Sequence, residues 1–208
     1  VRSRRQRQMC IRDSYRNVHL IITEDAYIPV WGTYITTPSV NEKFAKVNVR
    51  TKVVLPEGAD PAKYSVETSV WNPNKQKLTA VRTSLAQMKY NNNQAEQEFV
   101  IQAPSLWSPE MPALYSAETR LYEGDKLKDI YTTPFGIRSI EIIPDKGFFL
   151  NGKRTVFKGV CNHHDLGPLG AAVNDAAIRR QIRILKDMGC NAIRTSHNLS
   201  LIHISEPT

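Results

Sequence analysis

The sequence has few of the features that mark a membrane-bound, disulfide-stabilised or metal-binding protein. No apolar run approaches the roughly 20 residues of a membrane helix, and no apolar segment follows the basic N-terminus as a secretory signal requires. Only three cysteines occur, Cys10, Cys161 and Cys190, and no two have the C-x-x-C spacing of a metal site. We therefore expect free thiols and no membrane partner, and the cysteine count does not decide between a cytoplasmic and a periplasmic location.

Positive charge is concentrated at one end of the chain. The formal net charge is +8, and five arginines against Asp13 give residues 1–14 a net charge of +4, which is half of the total. Such a cluster can mark nucleic-acid binding, but no basic stripe with interleaved aromatic residues follows in the rest of the chain. We therefore expect no nucleic-acid partner.

The two terminal segments fit no pattern of the sequence between them. Residues 1–14 and 199–208 favour neither helix nor strand, and both resemble translated sequencing-adapter sequence. We expect both to be foreign, disordered segments that take no part in the fold. The arginine cluster would then have no function.

Period-two alternation dominates the first half of the remaining chain and predicts half-buried strands. Three runs place every second residue on one face: Val47, Val49, Thr51 and Val53; Tyr64, Val66, Thr68 and Val70; and Tyr115, Ala117, Thr119 and Leu121. Clusters of glycine, proline and asparagine separate the runs. About seven strands over residues 28–136 predict an immunoglobulin-like β-sandwich. Since no cysteine pair lies inside it, a cross-sheet disulfide is excluded.

The pattern changes to α/β in residues 137–198. Asn151-Gly152 predicts a hairpin turn, and Asn174 predicts the N-cap of a helix over residues 175–188 that ends at Gly189. Apolar residues recur in this helix at helical spacing: Ile178, Ile182, Leu185 and Met188. A strand ending at Val160, the helix and a strand over residues 191–194 predict a βαβ unit with parallel strands. One such unit cannot bury both of its faces.

Six strings, in this order, resemble glycoside hydrolase family 2 across residues 15–198. They are Tyr15-Arg-Asn-Val-His-Leu20, Trp107-Ser-Pro-Glu-Met-Pro-Ala-Leu-Tyr115, Phe135-Gly-Ile-Arg138, Phe149-Leu-Asn-Gly-Lys153, Lys158-Gly-Val-Cys-Asn-His-His-Asp165 and Asn191-Ala-Ile-Arg-Thr-Ser-His-Asn198. Each string is weak alone, but their order across a change from sandwich to βαβ pattern is specific. The resemblance implies that residues 15–27 are the tail of an N-terminal sugar-binding jelly roll. It also implies that residues 137–198 begin a catalytic (β/α)₈ (TIM) barrel.

The resemblance is strongest to the β-galactosidase branch, through His163-His164-Asp165 and Arg194-Thr-Ser-His197. It implies that the chain is an internal fragment of a retaining enzyme that hydrolyses terminal non-reducing β-D-galactose residues in β-galactosides. Two alternatives stay open: a β-glucuronidase or other family 2 glycosidase, and a non-catalytic β-sandwich carbohydrate-binding module. The βαβ unit argues against the binding module.

The candidate sugar site lies at the C-terminal strand ends, where (β/α)₈ barrels place their function. His163 and His197 each follow a predicted strand by three residues, and neighbouring parallel strands lie about 4.8 Å apart, so both imidazoles can border one pocket. The resemblance implies that they bind sugar hydroxyls and that Arg194 orients a nucleophilic glutamate. Without the resemblance, we would interpret His163 and His197 as hydrogen-bonded loop histidines. Arg194 would then be a structural arginine that pairs with a carboxylate at the rim of the barrel.

Other candidates are weaker. Asn162, His164 and Asp165 could contact sugar or only fix their loop. We expect Trp107 and Tyr115 to pack in the sandwich core or at a domain junction. For Trp31 we also favour packing in the core over a role as an aromatic platform for sugar. Gly167 and Gly170 are turn residues, because no Lys-Ser/Thr follows them as in a phosphate loop.

The catalytic machinery itself is absent from the barrel segment. A retaining glycosidase needs two carboxylates about 5–5.5 Å apart, and Glu141 is the only glutamate in residues 139–198. The resemblance places both catalytic glutamates on later strands, so we expect no catalytic residue and no activity in this chain. It allows Mg²⁺ and a homo-oligomer for an intact parent, while no residues here predict a metal cage.

Overall fold

The computed structural model describes residues 20–87, 94–163, 166–170 and 174–195. These residues form two compact units: Thr23–Val156, and residues 157–195 together with residues 20–22. The two terminal segments and residues 15–19 of the expected jelly-roll tail lie outside the described residues. Their assignments, and the domain boundaries given above, therefore stay predictions.

Seven antiparallel strands build a two-sheet sandwich in the first unit. The strands are β1 (Thr33–Val40), β2 (Phe44–Lys52), β3 (Tyr64–Trp71), β4 (Lys77–Ser84), β5 (Gln94–Gln102), β6 (Tyr115–Glu123) and β7 (Lys126–Phe135). One sheet has the order β1-β2-β5 and the other has the order β4-β3-β6-β7. Short 3-10 turns at Pro61–Lys63 and Leu85–Gln87 precede β3 and follow β4. The predicted immunoglobulin-like sandwich is confirmed.

The alternating residues of the three predicted runs all face the core, and none is more than 4% exposed. Because neighbouring side chains of a strand point to opposite faces, the residues between them reach solvent or the sheet surface. A two-residue turn at Gly124 and Asp125 joins β6 to β7, and Gly124 has the positive φ of 58° that this turn requires.

A layer of polar side chains divides the core of the sandwich into two apolar clusters. One cluster includes Val49, Val70 and Phe99, and the other includes Val53 and Val66. On each of four strands one buried polar residue lies between the clusters: Thr51, Thr68, Gln97 and Thr119. We call these four residues the polar layer.

Gln97 links the two sheets through this layer. Its Nε2 donates to the carbonyl oxygens of Val66 at 3.1 Å and Val81 at 2.9 Å, both on the opposite sheet. Thr68 and Thr119 share a hydroxyl contact of 3.3 Å. The Oγ1 atom of Thr51 and the Oε1 atom of Gln97 are buried without a hydrogen-bond partner, so the layer is only partly satisfied.

The segment that leads into β1, residues 24–33, is fastened along β7. The Lys128 ammonium lies 2.5 Å from a Glu24 carboxylate oxygen. The backbone N–H of Ile28 donates to Asp129 Oδ2 at 2.8 Å, and Thr33 and Thr133 are joined through their hydroxyls. These contacts attach the segment, up to the first residue of β1, to β7.

Trp31 lies in this segment, and the prediction that it packs in the core is wrong. Its side chain is 50% exposed, and its backbone N–H donates to the Tyr131 hydroxyl at 3.2 Å. Trp31 has a positive φ of 57° in a tight turn closed by a bond from Gly32 N to Pro29 O at 2.7 Å. This backbone conformation is rare for a bulky residue, and here it leaves the indole side chain half exposed to solvent.

Three short strands follow the sandwich: β8 (Ile140–Ile143), β9 (Gly147–Leu150) and β10 (Lys153–Arg154). They form an antiparallel sheet in the order β10-β9-β8. Asn151 and Gly152 connect β9 to β10 with φ values of 51° and 75°, as expected for a type I′ turn. The predicted hairpin turn is therefore confirmed, but its second strand ends at Arg154, whereas the sequence predicted one strand that continues to Val160. The strand β8 was not anticipated.

The second unit contains the predicted βαβ arrangement. Strand β11 (Gly159–Asn162), a 3-10 turn (Gly167–Leu169), helix α1 (Asp175–Asp187) and strand β12 (Ala192–Thr195) follow in this order. Strands β11 and β12 are parallel, as the sequence predicts.

Both ends of α1 are capped as the sequence predicts. The Asn174 side chain accepts from the N–H of Ala177 at 3.0 Å. At the other end Gly189, with a φ of 88°, donates to Lys186 O at 2.9 Å, and Cys190 donates to Leu185 O at 3.0 Å. This bond pair is the Schellman motif.

The second unit has little core of its own. None of its described residues is fully buried, and Ile182, Met188 and Ile193 are 45%, 70% and 38% exposed. This agrees with the expectation that one βαβ unit cannot cover both of its faces.

Candidate functional site

The parallel pairing of β11 and β12 brings the candidate strand ends to one edge. Cys161 pairs with Arg194, and Asn162 pairs with Thr195. Strand β11 ends at Asn162, two residues later than predicted, so His163 follows it directly. Strand β12 ends at Thr195, one residue beyond Arg194. Asn162, His163 and Arg194 therefore all lie at or next to the C-terminal edge of the pair.

The starts of the two strands are fastened by Asn191. Its side-chain oxygen accepts from Lys158 N at 2.8 Å, and its backbone N–H donates to Lys158 O at 2.8 Å. Next to this contact the strands approach closely, because a Cβ atom on Gly159 would lie 2.3 Å from the carbonyl oxygen of Ala192. Asn191 and Gly159 thus align the strands at the end opposite to the candidate site.

Arg194 and Cys161 share one face of the strand pair, since paired residues of parallel strands point the same way. Arg194 Nη1 lies 3.9 Å from the Cys161 Sγ atom, a long contact between weak partners. Sequence reasoning did not connect these residues. The predicted parallel pairing brings the two strands side by side, but which residues lie opposite each other depends on the strand register.

The structure describes some of the other candidate residues but not all of them. Asn162 is half-buried and lies on the face opposite to Arg194, whereas His163 is exposed. His164, Asp165 and His197 lie outside the described residues. The structure therefore brings His163, Asn162 and Arg194 to one edge, and the shared pocket of His163 and His197 stays a prediction.

The described residues of the second unit contain no carboxylate pair suited to glycoside hydrolysis. Their only acidic residues are Asp175 and Asp187, at the two ends of α1. Twelve residues of helix separate them by about 18 Å, far more than the roughly 5–5.5 Å of a retaining pair. Glu141 lies in β8, in the other unit, opposite Phe149.

Neither a metal site nor a membrane span is found in the described part of the chain. No group of three or more histidine, cysteine, aspartate or glutamate side chains there is arranged to hold a metal ion. No described helix is long and apolar enough to cross a bilayer.

The aromatic residues of the second quoted string have structural contacts in the sandwich. Tyr115 is 3% exposed, its ring lies 5.6 Å from that of Phe135, and its hydroxyl accepts from Ser105 N at 2.8 Å. The backbone N–H of Trp107 donates to Ile137 O at 2.8 Å. The core prediction holds for Tyr115, while Trp107 is half-buried beside the end of the sandwich.

Comparison with known proteins matches both units to the same family. The family model for glycosyl hydrolases family 2 matches residues 27–138, and the model for the TIM barrel domain of that family matches residues 141–199. These matches cover the sandwich and the βαβ unit respectively. The latter is therefore the start of a TIM barrel domain.

Individual relatives give the same result. The β-galactosidase BoGH2A of Bacteroides ovatus is 42% identical over 184 residues, which are 88% of this chain and 22% of that protein. A β-glucuronidase of Bacteroides fragilis is 34% identical over 88% of this chain and 27% of its own length. The solved structure of a glycosyl hydrolase family 2 member from Bacteroides cellulosilyticus superposes with a TM-score of 0.76 at 35% identity, covering 88% of this chain and 24% of that one.

The chain thus spans about a quarter or less of the length of several relatives that it matches. The share of the chain covered by the first family model exceeds half, and the order of the two matched domains is the order of the two folded units. On this evidence the chain belongs to glycosyl hydrolase family 2.

Proposed function

We propose that this chain is part of a retaining β-galactosidase and contributes one wall of its sugar subsite. The observation that carries the proposal is the register of β11 and β12, which supports a common edge for His163 and Arg194. In a (β/α)₈ barrel such an edge borders the substrate. The identity of 42% to a protein named β-galactosidase favours galactosides as the substrate class.

In the proposed reaction one carboxylate attacks the anomeric carbon while a carboxylic acid protonates the leaving oxygen, and water later releases the sugar. Neither group belongs to the described part of this chain. His163 and His197 bind ring hydroxyls, and these contacts strengthen as the ring flattens toward an oxocarbenium ion.

Arg194 has a different role in the proposal. Its guanidinium donates charge-assisted hydrogen bonds to the nucleophilic carboxylate and keeps that group ionised and oriented. The 3.9 Å contact with the Cys161 sulfur is compatible with this role, because it leaves most of the guanidinium donors available for a carboxylate.

Three further residues complete the proposed subsite. His164 and Asp165 follow His163 in the sequence and would contact sugar or hold this segment in place. Asn162 faces away from Arg194, so its contribution is proposed from the family resemblance. We propose Mg²⁺ binding and assembly into a homo-oligomer only for an intact protein. For the site itself, the carbohydrate substrate is the one proposed partner.

A pair of chimeras tests the substrate. Residues 20–198 replace the matching segment in the Bacteroides ovatus β-galactosidase and, separately, in the Bacteroides fragilis β-glucuronidase. If the segment is built for galactosides, the first chimera retains the larger fraction of its parent's kcat/KM, measured on the nitrophenyl β-galactoside and β-glucuronide respectively.

The reverse ranking would make β-glucuronidase the better assignment, an alternative favoured by the 34% identity to the Bacteroides fragilis enzyme. Loss of both activities in chimeras that still unfold cooperatively would contradict a sugar subsite in this segment. The unmodified parent enzymes, purified in parallel, are the controls.

A further inference from the structure

A cleft of about 470 Å³ opens at one end of the sandwich, within the first unit. Its walls come from β1, from the connection that holds Trp107, and from the residues that follow β7. The lining includes the hydroxyl-bearing residues Tyr34, Thr36 and Thr37 together with Trp107, Arg138 and Ile140. A cleft of this volume lies within the range of about 300–1,000 Å³ that small-molecule sites occupy.

Arg138 stacks on Trp107 inside this cleft. The centre of its guanidinium lies 4.7 Å from the centroid of the Trp107 ring, within the range of a cation–π contact. Two neighbouring residues define the surroundings of the stack. Thr37 Oγ1 donates to the carbonyl oxygen of Arg138 at 3.1 Å, and a Cβ atom on Gly136 would lie 3.0 Å from the Trp107 side chain. Glycine at this position therefore permits the approach.

A second arginine–aromatic stack in the sandwich provides an internal comparison. Arg82 lies 4.4 Å from the centroid of the Tyr122 ring. Its guanidinium is also bonded, because Nε donates to the Ser65 hydroxyl at 2.8 Å and Nη2 to the carbonyl oxygen of Gly124 at 2.5 Å. Arg82 is thus a stacked arginine whose donors are used within the protein.

Arg138 differs in its hydrogen bonds. Among the described residues no carboxylate, carbonyl or hydroxyl accepts from its guanidinium, whereas Arg120, for comparison, pairs with Glu118 at 2.8 Å. A guanidinium carries five N–H donors in a planar fork that fits a carboxylate. A half-buried cation with open donors and a fixed ring beneath it is arranged to receive an anion from the cleft.

We infer that the cleft binds a carboxylate-bearing sugar, that is, a uronate. The fork of Arg138 takes the carboxylate through two charge-assisted hydrogen bonds. The hydroxyls of Thr36 and Tyr34 face the hydroxylated edge of the sugar ring, and Tyr34, at 62% exposure, stands at the cleft rim. A bare anion would leave these hydroxyls unused, and a neutral sugar would leave the guanidinium unpaired. The site lies in the sandwich and does not depend on the proposed hydrolase function.

The test follows the indole N–H resonance of Trp107 in the ¹⁵N-labelled 208-residue chain, assigned by its loss in Trp107→Phe. Three probes are titrated at equal ionic strength: D-glucuronate, D-glucose, which lacks the carboxylate, and acetate, which lacks the ring. We expect a saturable shift with glucuronate at a dissociation constant about 10- to 100-fold lower than with either control, the factor expected for charged hydrogen bonds. Equal binding of glucose, equal binding of acetate, or no saturable shift with glucuronate would each overturn the inference.

Two matched variants assign the effect to Arg138. Arg138→Gln should weaken glucuronate binding by about 10-fold or more, and Arg82→Gln, which removes the other stacked arginine, should leave it unchanged. If Arg138→Gln does not fold, Arg138→Lys keeps the charge without the fork and should still weaken binding. An equal loss in the Arg82 variant would contradict the proposed site.

Discussion

Asn151 Nδ2 donates a hydrogen bond to the carbonyl oxygen of Trp107 at 2.9 Å, across 44 residues of sequence. The other atom of the same amide, Oδ1, accepts from Ser139 N at 3.0 Å, and the backbone N–H of Asn151 donates to Ser139 O at 2.9 Å. One turn residue therefore attaches the β8–β10 sheet to the end of the sandwich.

Asn151→Gly should destabilise the chain by about 1–3 kcal/mol, because glycine keeps the positive φ but loses both side-chain bonds. The free energy of unfolding from urea titration measures this effect. Asp145→Gly is the matched control, since Asp145 also has a positive φ, 64°, and its side chain makes no hydrogen bond among the described residues. A similar loss in both variants would mean that the bonds of Asn151 are not the cause.

Thr51→Val should stabilise the chain by about 1 kcal/mol. Valine has nearly the shape of threonine, and the substitution removes a buried hydroxyl that has no hydrogen-bond partner. Thr68→Val is the control, because it breaks the contact with Thr119 and leaves that hydroxyl unpaired. Thermal unfolding should show a higher Tm for the first variant and an unchanged or lower Tm for the second. A lower Tm for Thr51→Val would show that its hydroxyl is satisfied.

Acid should weaken the attachment of the segment before β1. The hydrogen bond from Lys128, and next the charge of Lys126, hold the pKa of Glu24 below its ordinary value of 4.5. A depressed pKa in the folded state gives stability that is present above pH 4.5 and is lost as the pH falls through the folded-state pKa. Glu24→Gln should therefore lower stability at neutral pH, and its difference from the unmodified chain should shrink in acid.

The measurement is the free energy of unfolding of both proteins as a function of pH. Glu57→Gln is the control, since Glu57 is exposed and outside this cluster, and it should follow the unmodified chain at every pH. A Glu24→Gln difference that stays constant down to about pH 3, well below the usual glutamate pKa, would contradict the ion-pair explanation.

The sandwich could be predicted from sequence because its signal is local. Each strand of the core alternates over several residues, and turn residues punctuate the runs. The alternation predicts the inward positions of Thr51, Thr68 and Thr119 in the polar layer. Gln97 could not be predicted, because it looks like a surface residue until its strand is placed opposite Val66 and Val81. Trp31 was misassigned because hydrophobicity alone does not reveal a positive φ. The close pairing of Cys161 with Arg194 depends on strand register, which no single segment encodes.

The purified 208-residue chain should not hydrolyse a nitrophenyl β-galactoside above background. Its barrel segment contributes no retaining carboxylate pair among the described residues, and each carboxylate is needed to avoid a free oxocarbenium ion. The assay is release of nitrophenol, repeated after a second purification step. Turnover that persists and disappears on Glu141→Gln would overturn this prediction.

In the galactosidase chimera, His163→Ala and His197→Ala should each lower kcat/KM by about 10- to 100-fold, with kcat reduced as well as KM affected. The histidines are proposed to bind the transition state more tightly than the ground state. A matched control is Arg183→Ala on the polar, exposed side of α1, which should leave kcat/KM within about threefold of the unmodified chimera. Equal losses of stability and activity in all three would indicate a structural role.

Arg194→Ala should change the pH dependence as well as the rate. Loss of the guanidinium should raise the pKa of the nucleophile, so the acid limb of kcat/KM should move to higher pH. Arg194→Lys keeps the charge without the bidentate fork and should restore part of the effect. An unmoved acid limb with a lower protein yield would make Arg194 a rim residue that only supports the fold.

Gly159 restricts the register in which β12 can pair with β11. A side chain there would meet the Ala192 carbonyl at 2.3 Å, so any slip of β12 by two residues along β11 would set a bulkier residue against that oxygen. Since such a slip preserves the inward and outward faces, hydrophobicity alone would not prevent it. Because only a residue without a Cβ atom fits against this carbonyl, Gly159 disfavours a shift in the register of the two strands. This register determines the relative positions of Arg194 and His163 along the two strands.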